Sequence, residues 1–336
     1  MKYVNATDKA LELGTEFSVF DADLGGSRIL KGKTRKGQVQ LTDALLENAL
    51  YNHDANAELP PHNIPKQFTS PSNVLSLALP DFVIRIVNLP INLTKDNLSQ
   101  KMADRLGLSD EHRFSFTRLE STASGGEVDF LVVALPNDIY EKYYEKLHNM
   151  CPRLVMFQNA HVNAIKAFSE AVIPKHKQDS VVLFNGEADS TSISIFSKGA
   201  LVLVESFDLG INHIIAQLEK SFELESELNY SLLAEENFDI SESVQSVMNP
   251  LINNLLMSRG FVEKKTGLKP EKVYFSGGIS RYTYLNVTLS KLMGLSSATW
   301  NPFDVVGVDS SKIKEVVQSE AACYSAAVGA VLNYIT

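Results

Sequence analysis

The sequence predicts an α/β protein of two lobes with a cleft between them, and three observations carry that prediction. A glycine-punctuated meander of short β-rich pieces opens the chain at 16–41. A second meander of the same design occupies 181–207. The length of 336 residues exceeds what one core usually organises, so a repeated opening reads as a repeated lobe. The first lobe is expected at 14–170, with a small α+β subdomain inserted at about 82–150, and the second at 178–336, with a helical subdomain at about 211–270.

In chain order, the first meander reads as FSVFDA, SRILKGK and QVQL, with Gly25-Gly26 and Gly37 where the chain must reverse. A helix is expected from Asp43 to Tyr51, then a connector rich in Pro, Asn and His, then the strand-like NVLSLALP. The insertion shows two strand-like pieces, VIRIVNL and DFLVVALP, each bordering a helical pattern, TKDNLSQKMADRLG and NDIYEKYYEKLHNM. LVMFQNAHVNAIKAFSEAV reads as a strand feeding a helix, and the second meander follows as VVLFNGEADSTSISIFSKGALVLVESF. From Ile211 to Thr266 the pattern is helical, with Pro250 expected to kink or bound a helix. VYFSGGISRYTYL reads as a buried strand, a Gly-Gly turn and a helix, and AACYSAAVGAVLNYI as a packed terminal helix too short to span a bilayer.

Composition narrows the function classes. With 40 acidic and 31 basic side chains the net charge is -9, which repels nucleic-acid backbones, and no local basic patch overrides it. MKYVNATDKALELG has no apolar stretch long enough for a signal sequence, so a cytoplasmic location is expected, and the Asn-x-Ser/Thr triplets are expected to be chance. Cys151 and Cys323 fit buried reduced thiols. The 7 histidines form no i, i+4 pair and no HExxH, which argues against metal catalysis and places most of them on surface or loops.

Three turns carry the candidate site. GSRILKGKT at 26–34 imitates a P-loop, but five residues separate Gly26 from Gly32 where that loop has four, and a strand follows where it needs a helix. DADLGGS at 21–27 offers glycines that let N–H groups converge on an anion, although taken alone it reads first as an ordinary hairpin. NGEADSTS at 185–192 is the matching turn of the second meander, and FSGGIS at 275–280 lets a ligand lie against backbone. The candidate nucleotide-contacting residues are therefore Asp21, Gly25, Gly26 and Ser27, then Asn185, Gly186, Asp189, Ser190 and Thr191, then Ser276, Gly277, Gly278 and Ser280.

The order of these blocks, with NVLSLALPDFVIRIVNLP, DFLVVALPNDIYEKYYEKL, AHVNAIKAF, NPF at 301–303 and AACYSAAVGAVL, resembles the PilM-type proteins. PilM-type proteins are similar to the division protein FtsA and belong to the actin-like superfamily. The resemblance implies an actin-like, duplicated ribonuclease H-like fold with an ATP and magnesium cleft, and a cytoplasmic scaffold role in type IV pilus or related secretion-machine assembly. It also implies a groove beside the inserted subdomain that receives the cytoplasmic tail of a PilN-like inner-membrane partner. Self-association is compatible with it, and membrane contact is expected only through the partner.

The departures from that family bear on its ATPase activity. The family's first phosphate loop runs Asp-x-Gly, and here Asp23 stands where the glycine belongs. In its second Asp-x-Gly, Phe184 stands in place of the aspartate, and Asn159 replaces a third acidic residue. Losing these carboxylates weakens magnesium and phosphoryl transfer, so a degenerate ATPase is expected, with no catalytic or metal-ligating residue assigned. Two alternatives remain open. One is an active actin-fold ATPase or small-molecule kinase using Asp21, and the other an FtsA-like filament protein, for which a C-terminal membrane helix is expected where this chain reads VLNYIT.

Overall fold

The first meander is built on a central strand that is buried along almost its whole length. Strand β1 (Glu16–Asp23) is buried at every position after Glu16, as expected of a central strand covered on both sides. It pairs antiparallel with β2 (Gly26–Arg35), which pairs antiparallel with β3 (Gln38–Glu47). On its other edge β1 runs parallel to β4 (Ser72–Leu77). The structure is a computed structural model that describes residues 16–23, 26–35, 38–47, 65–90, 92, 95–109, 111–119, 126–150, 154–222, 232–236, 238–309, 313 and 320–335.

The expected helix from Asp43 is corrected: residues up to Glu47 extend β3, and 48–51 lie outside the described residues. Beyond a bulge at Lys31/Gly32, the ladder continues through Lys31↔Asp43 to Ser27↔Glu47. Cross-strand hydrogen bonds available along the whole of β2 outweigh the modest helix preference of ALLE.

The insertion holds β5 (Val83–Pro90), helix α1 (Lys95–Leu106), β6 (His112–Arg118), β7 (Glu127–Pro136) and helix α2 (Asn137–Met150). Its three-stranded antiparallel sheet has the order β5-β7-β6, with β6 an edge strand the sequence did not reveal. The chain then returns through β8 (Leu154–Asn159), parallel to β4, into helix α3 (Ala160–Ala171).

The second meander is β9 (Ser180–Gly186), β10 (Thr191–Ser197) and β11 (Ala200–Phe207). Helices α4 (Ile211–Phe222) and α5 (Ser241–Thr266) follow, and Pro250 lies inside α5 without ending it. Strand β12 (Lys272–Ser276) runs parallel to β9, helix α6 (Thr283–Met293) follows, and β13 (Ser296–Ala298) runs parallel to β12. The pair β14 (Gly307–Val308) and helix α7 (Ser325–Ile335) completes the chain. One sheet has the order β14-β3-β2-β1-β4-β8 and the other β11-β10-β9-β12-β13, so each contains a reversed meander continued by two parallel strands. This repetition is the duplicated ribonuclease H-like topology of the actin-like fold.

Two helices join the sheets. Ala167 of α3 packs with Ala327, Val328 and Val331 of α7 against Val19 and Val74 of the first sheet. Phe168 of α3 turns to the second sheet, with ring centroids 5.4 Å from Phe196 and 5.2 Å from Tyr274. The outer face of the second sheet carries a separate core in which Val182, Phe184 and Ile193 meet Ile214 of α4, Leu251 of α5 and Leu289 of α6. No helix among the described residues is long and apolar enough to cross a membrane.

Candidate functional site

The two meanders present their strand ends to one another, and the ladder register shows which residues correspond. Asp21 lies opposite Ser76 of β4, and Asn185 lies opposite Ser276 of β12. Asp21-Ala22-Asp23 and Asn185-Gly186-Glu187 are thus equivalent tripeptides, and the preceding residue is phenylalanine in both, Phe20 and Phe184. Because side chains alternate along a strand, Asp21 and Asp23 share one face, and Asn185 continues the corresponding face of β9.

Between them lies Arg28, whose side chain is 3% exposed. Its Nη1 donates to Asp23 Oδ2 at 3.1 Å and lies 3.8 Å from Asp21 Oδ2, while its Nη2 lies 3.1 Å from Glu187 Oε2 in the other lobe. Glu187 also accepts a hydrogen bond from Gly278 N at 3.0 Å and one from Asn185 Nδ2 at 3.4 Å. Burial pushes the Glu187 carboxyl well above its usual range against the pull of Arg28, and the neighbouring carboxylates add to the rise. Burial likewise raises Asp21 to about 6, opposed by Arg28 and by the Ser76 hydroxyl.

Two hydrogen-bond chains hold this cluster. Ser76 Oγ donates to Asp21 Oδ1 at 2.9 Å, Asn163 Nδ2 donates to Ser76 Oγ at 3.0 Å, and Asn333 Nδ2 donates to Asn163 Oδ1 at 2.8 Å. The cleft carboxylate is thereby tied through α3 to α7. On the other side, Asn185 Nδ2 donates to His161 Nδ1 at 2.8 Å, which leaves the Nε2 proton for Ser190 Oγ at 2.9 Å. His161 is 1% exposed, so the expectation of a surface or loop histidine is corrected for this residue. Alanine-rich α3 is wedged between the sheets and carries the ring into the interior.

Burial lowers His161 from 6.5 to about 4, while Asp23 pulls the other way. An unfolded ring takes its proton near 6.5 and the folded ring only near 4, so stability is lost as pH falls through that window, by roughly 3 kcal/mol. Asp21 acts with opposite sign: its contribution is present below 3.8 and is lost as pH rises through about 6. Replacing His161 with glutamine is therefore expected to flatten the acid-side decline in urea titrations between about pH 4 and about pH 7. An unchanged decline would place the titrating group elsewhere.

The structure gathers Asp21, Gly26, Asn185, Gly186, Gly277 and Gly278 at the cleft, while Gly25 lies outside the described residues. Ser27 is fully buried behind the hairpin. The remaining candidates face other partners. Asp189 accepts from Asn212, Ser190 from His161, and Thr191 Oγ1 donates to Leu209 O at 2.6 Å. Ser276 bonds Ser325, and Ser280 Oγ donates to Gly277 O at 2.7 Å. Asn159 caps α3 by accepting from Val162 N at 2.9 Å.

Phe184 is a correction. It does not stand where a cleft carboxylate belongs, because its ring faces the outer core, with its centroid 5.4 Å from that of Phe275. Asn185 is the counterpart of Asp21. Arg28, Glu187 and His161 went unrecognised in the sequence. Aligning FDAD at 20–23 with FNGE at 184–187 was the available signal for Glu187.

A magnesium nucleotide does not fit these residues. The cavity beside Arg28, lined by Asp23, Gly26, Gly278, Arg281 and Tyr282 among others, measures about 20 Å³. That is room for about one water molecule. A β-carbon at Gly277, whose φ is +74°, would lie 2.3 Å from Glu187 Oε1, and one at Gly278 would lie 2.9 Å from Arg28 Nη2. The paired glycines therefore make room for the ion pair. No group of three or more His, Cys, Asp or Glu among the described residues is placed to hold a metal ion. Cys323 is buried and unbridged, its thiol pushed up to about 12 by burial, and Cys151 lies outside the described residues.

No family model and no curated protein matches the sequence. Among solved structures, a chain of the PilM–PilN type IV pilus biogenesis complex matches with a TM-score of 0.77 at 16% identity, covering 95% of this chain and 98% of that one. A Bacteroides thetaiotaomicron protein of actin-like ATPase fold and unknown function matches at 0.48 and 11% identity, covering 92% and 96%. The ethanolamine utilization protein EutJ from Carboxydothermus hydrogenoformans matches at 0.44 and 13%, covering 95% and 90%. The first match, together with the duplicated sheet topology above, gives the fold: this chain shares the architecture of the matched chain of that pilus biogenesis complex.

Proposed function

We propose that the chain is a scaffold subunit of a type IV pilus or related secretion machine that holds the cytoplasmic tail of a PilN-like inner-membrane partner beside the inserted three-stranded sheet. The observation that carries this reading is the near end-to-end match to a chain from a PilM–PilN complex. Catalysis is no part of the role, in keeping with a cleft in which Arg28 is held by Asp23 and Glu187 rather than aimed at a reacting atom. A net charge of -9 favours a basic tail segment.

The test is titration of the full chain with a fluorescent peptide copying the tail of a PilN-like protein from the same genome. Saturable binding that weakens as salt rises is expected. Absence of binding, together with failure of the two full-length proteins to co-purify from detergent, would remove the proposal. Binding indifferent to salt would remove only its electrostatic part.

A further inference from the structure

The least accounted-for feature of the cleft is a buried cation supplied by the chain itself. Arg28 projects from β2 of the first lobe and contacts carboxylates of both lobes, Asp23 at 3.1 Å and Glu187 at 3.1 Å. All the participating side chains are at most 3% exposed. The surroundings are shaped to this contact. Gly278 N fixes the Glu187 carboxyl at 3.0 Å, and β-carbons at Gly277 or Gly278 would collide with Glu187 or Arg28. Asp21, bound by Ser76, sets a third carboxyl beside the same guanidinium.

We propose that Arg28 is an internal ligand that fastens the two lobes across the cleft, so that closure is built into the chain and independent of nucleotide. In this arrangement the guanidinium fork is the bridging element. Its two terminal nitrogens reach one carboxyl in each lobe, a task a point charge on a lysine cannot reproduce with the same geometry. Anything entering the cleft must displace a paired, desolvated arginine and leave acidic groups facing it, which opposes a polyphosphate in particular. The inference does not rest on the partner reading, because it is tested without any peptide and either can fail alone.

The experiment is hydrogen exchange by mass spectrometry on the full chain, alongside calorimetry with Mg·ATP and Mg·ADP. In the wild type, no saturable heat is expected up to millimolar nucleotide, and exchange at 20–30, 186–191 and 277–282 should not change on its addition. In Arg28→Ala, exchange should accelerate by about tenfold or more on both sides of the cleft, with partial restoration by guanidinium far below denaturing concentrations. If that variant does not fold, Arg28→Lys keeps the charge without the fork and should show the same two-sided pattern more weakly. Two results overturn the proposal: saturable nucleotide binding by the wild type that protects these segments, or acceleration confined to 20–30 in whichever variant folds.

Discussion

Replacing Gly329 with alanine is expected to destabilise the protein by about 3 kcal/mol or more. A β-carbon there would fall 1.7 Å from the backbone oxygen of Asn163 and 2.4 Å from its carbonyl carbon. Neither atom can rotate aside as the end of a side chain does. The helices α3 and α7 would have to separate, and their separation strains the run from Asn333 through Asn163 and Ser76 to Asp21. The effect therefore reaches from the packing of two helices to the acidic side of the cleft. Gly260, on α5, supplies the control, since a β-carbon there meets nothing within 4 Å. Gly260→Ala is expected to stabilise by roughly 0.5 to 1 kcal/mol through helix propensity alone. Urea titrations of the three proteins decide the matter. Wild-type stability in Gly329→Ala would mean that the helices do not approach as closely as described.

What could be read in the sequence follows from how strongly each segment's surroundings mark it. FSVFDA and VVLFNG lie in strands covered on both faces, so they read as continuous apolar runs between glycine turns. The edge strand HRFSFTR carries two arginines, a histidine and no fully buried residue, a pattern that periodicity does not separate from a loop. The segment at 43–47 has a helical composition, and only the length of β2 makes it a strand. The cleft was legible as three converging turns but not in its chemistry. Arg28 sits inside a strand whose glycines imitate a phosphate loop, and nothing local distinguishes a buried arginine from an exposed one. Its role depends on Glu187, which is 159 positions away in the chain and is brought near only by the duplicated topology. For His161, burial depends on the placement of α3 between two sheets, which is a tertiary fact.

The misplacement of Phe184 leads to the second large expected effect. The resemblance suggested that Phe184→Asp would restore a metal-binding carboxylate. The register instead makes Phe184 the partner of Phe20, both essentially buried, at 0% and 2% exposure. A carboxylate at 184 would replace a ring packed against Phe275 and enter an apolar core. Loss of the ring and burial of an unpaired polar group together predict destabilisation of about 4 kcal/mol or more, seen as insoluble or unfolded protein. Phe184→Leu, which keeps the site apolar, should retain the fold with a smaller loss, on the order of 1 to 2 kcal/mol. Asn185→Asp tests the corrected alignment directly. It removes the donor to His161 Nδ1 and sets a fourth carboxyl beside Asp21, Asp23 and Glu187. The expected cost is about 1 to 3 kcal/mol, and the His161 imidazole should take up its proton above its present value of about 4, as followed by NMR titration. A soluble Phe184→Asp protein with native stability and new magnesium affinity would reverse the assignment of faces on β9. An Asn185→Asp protein with an unmoved His161 would separate these two residues, and with them the corrected alignment of the two lobes.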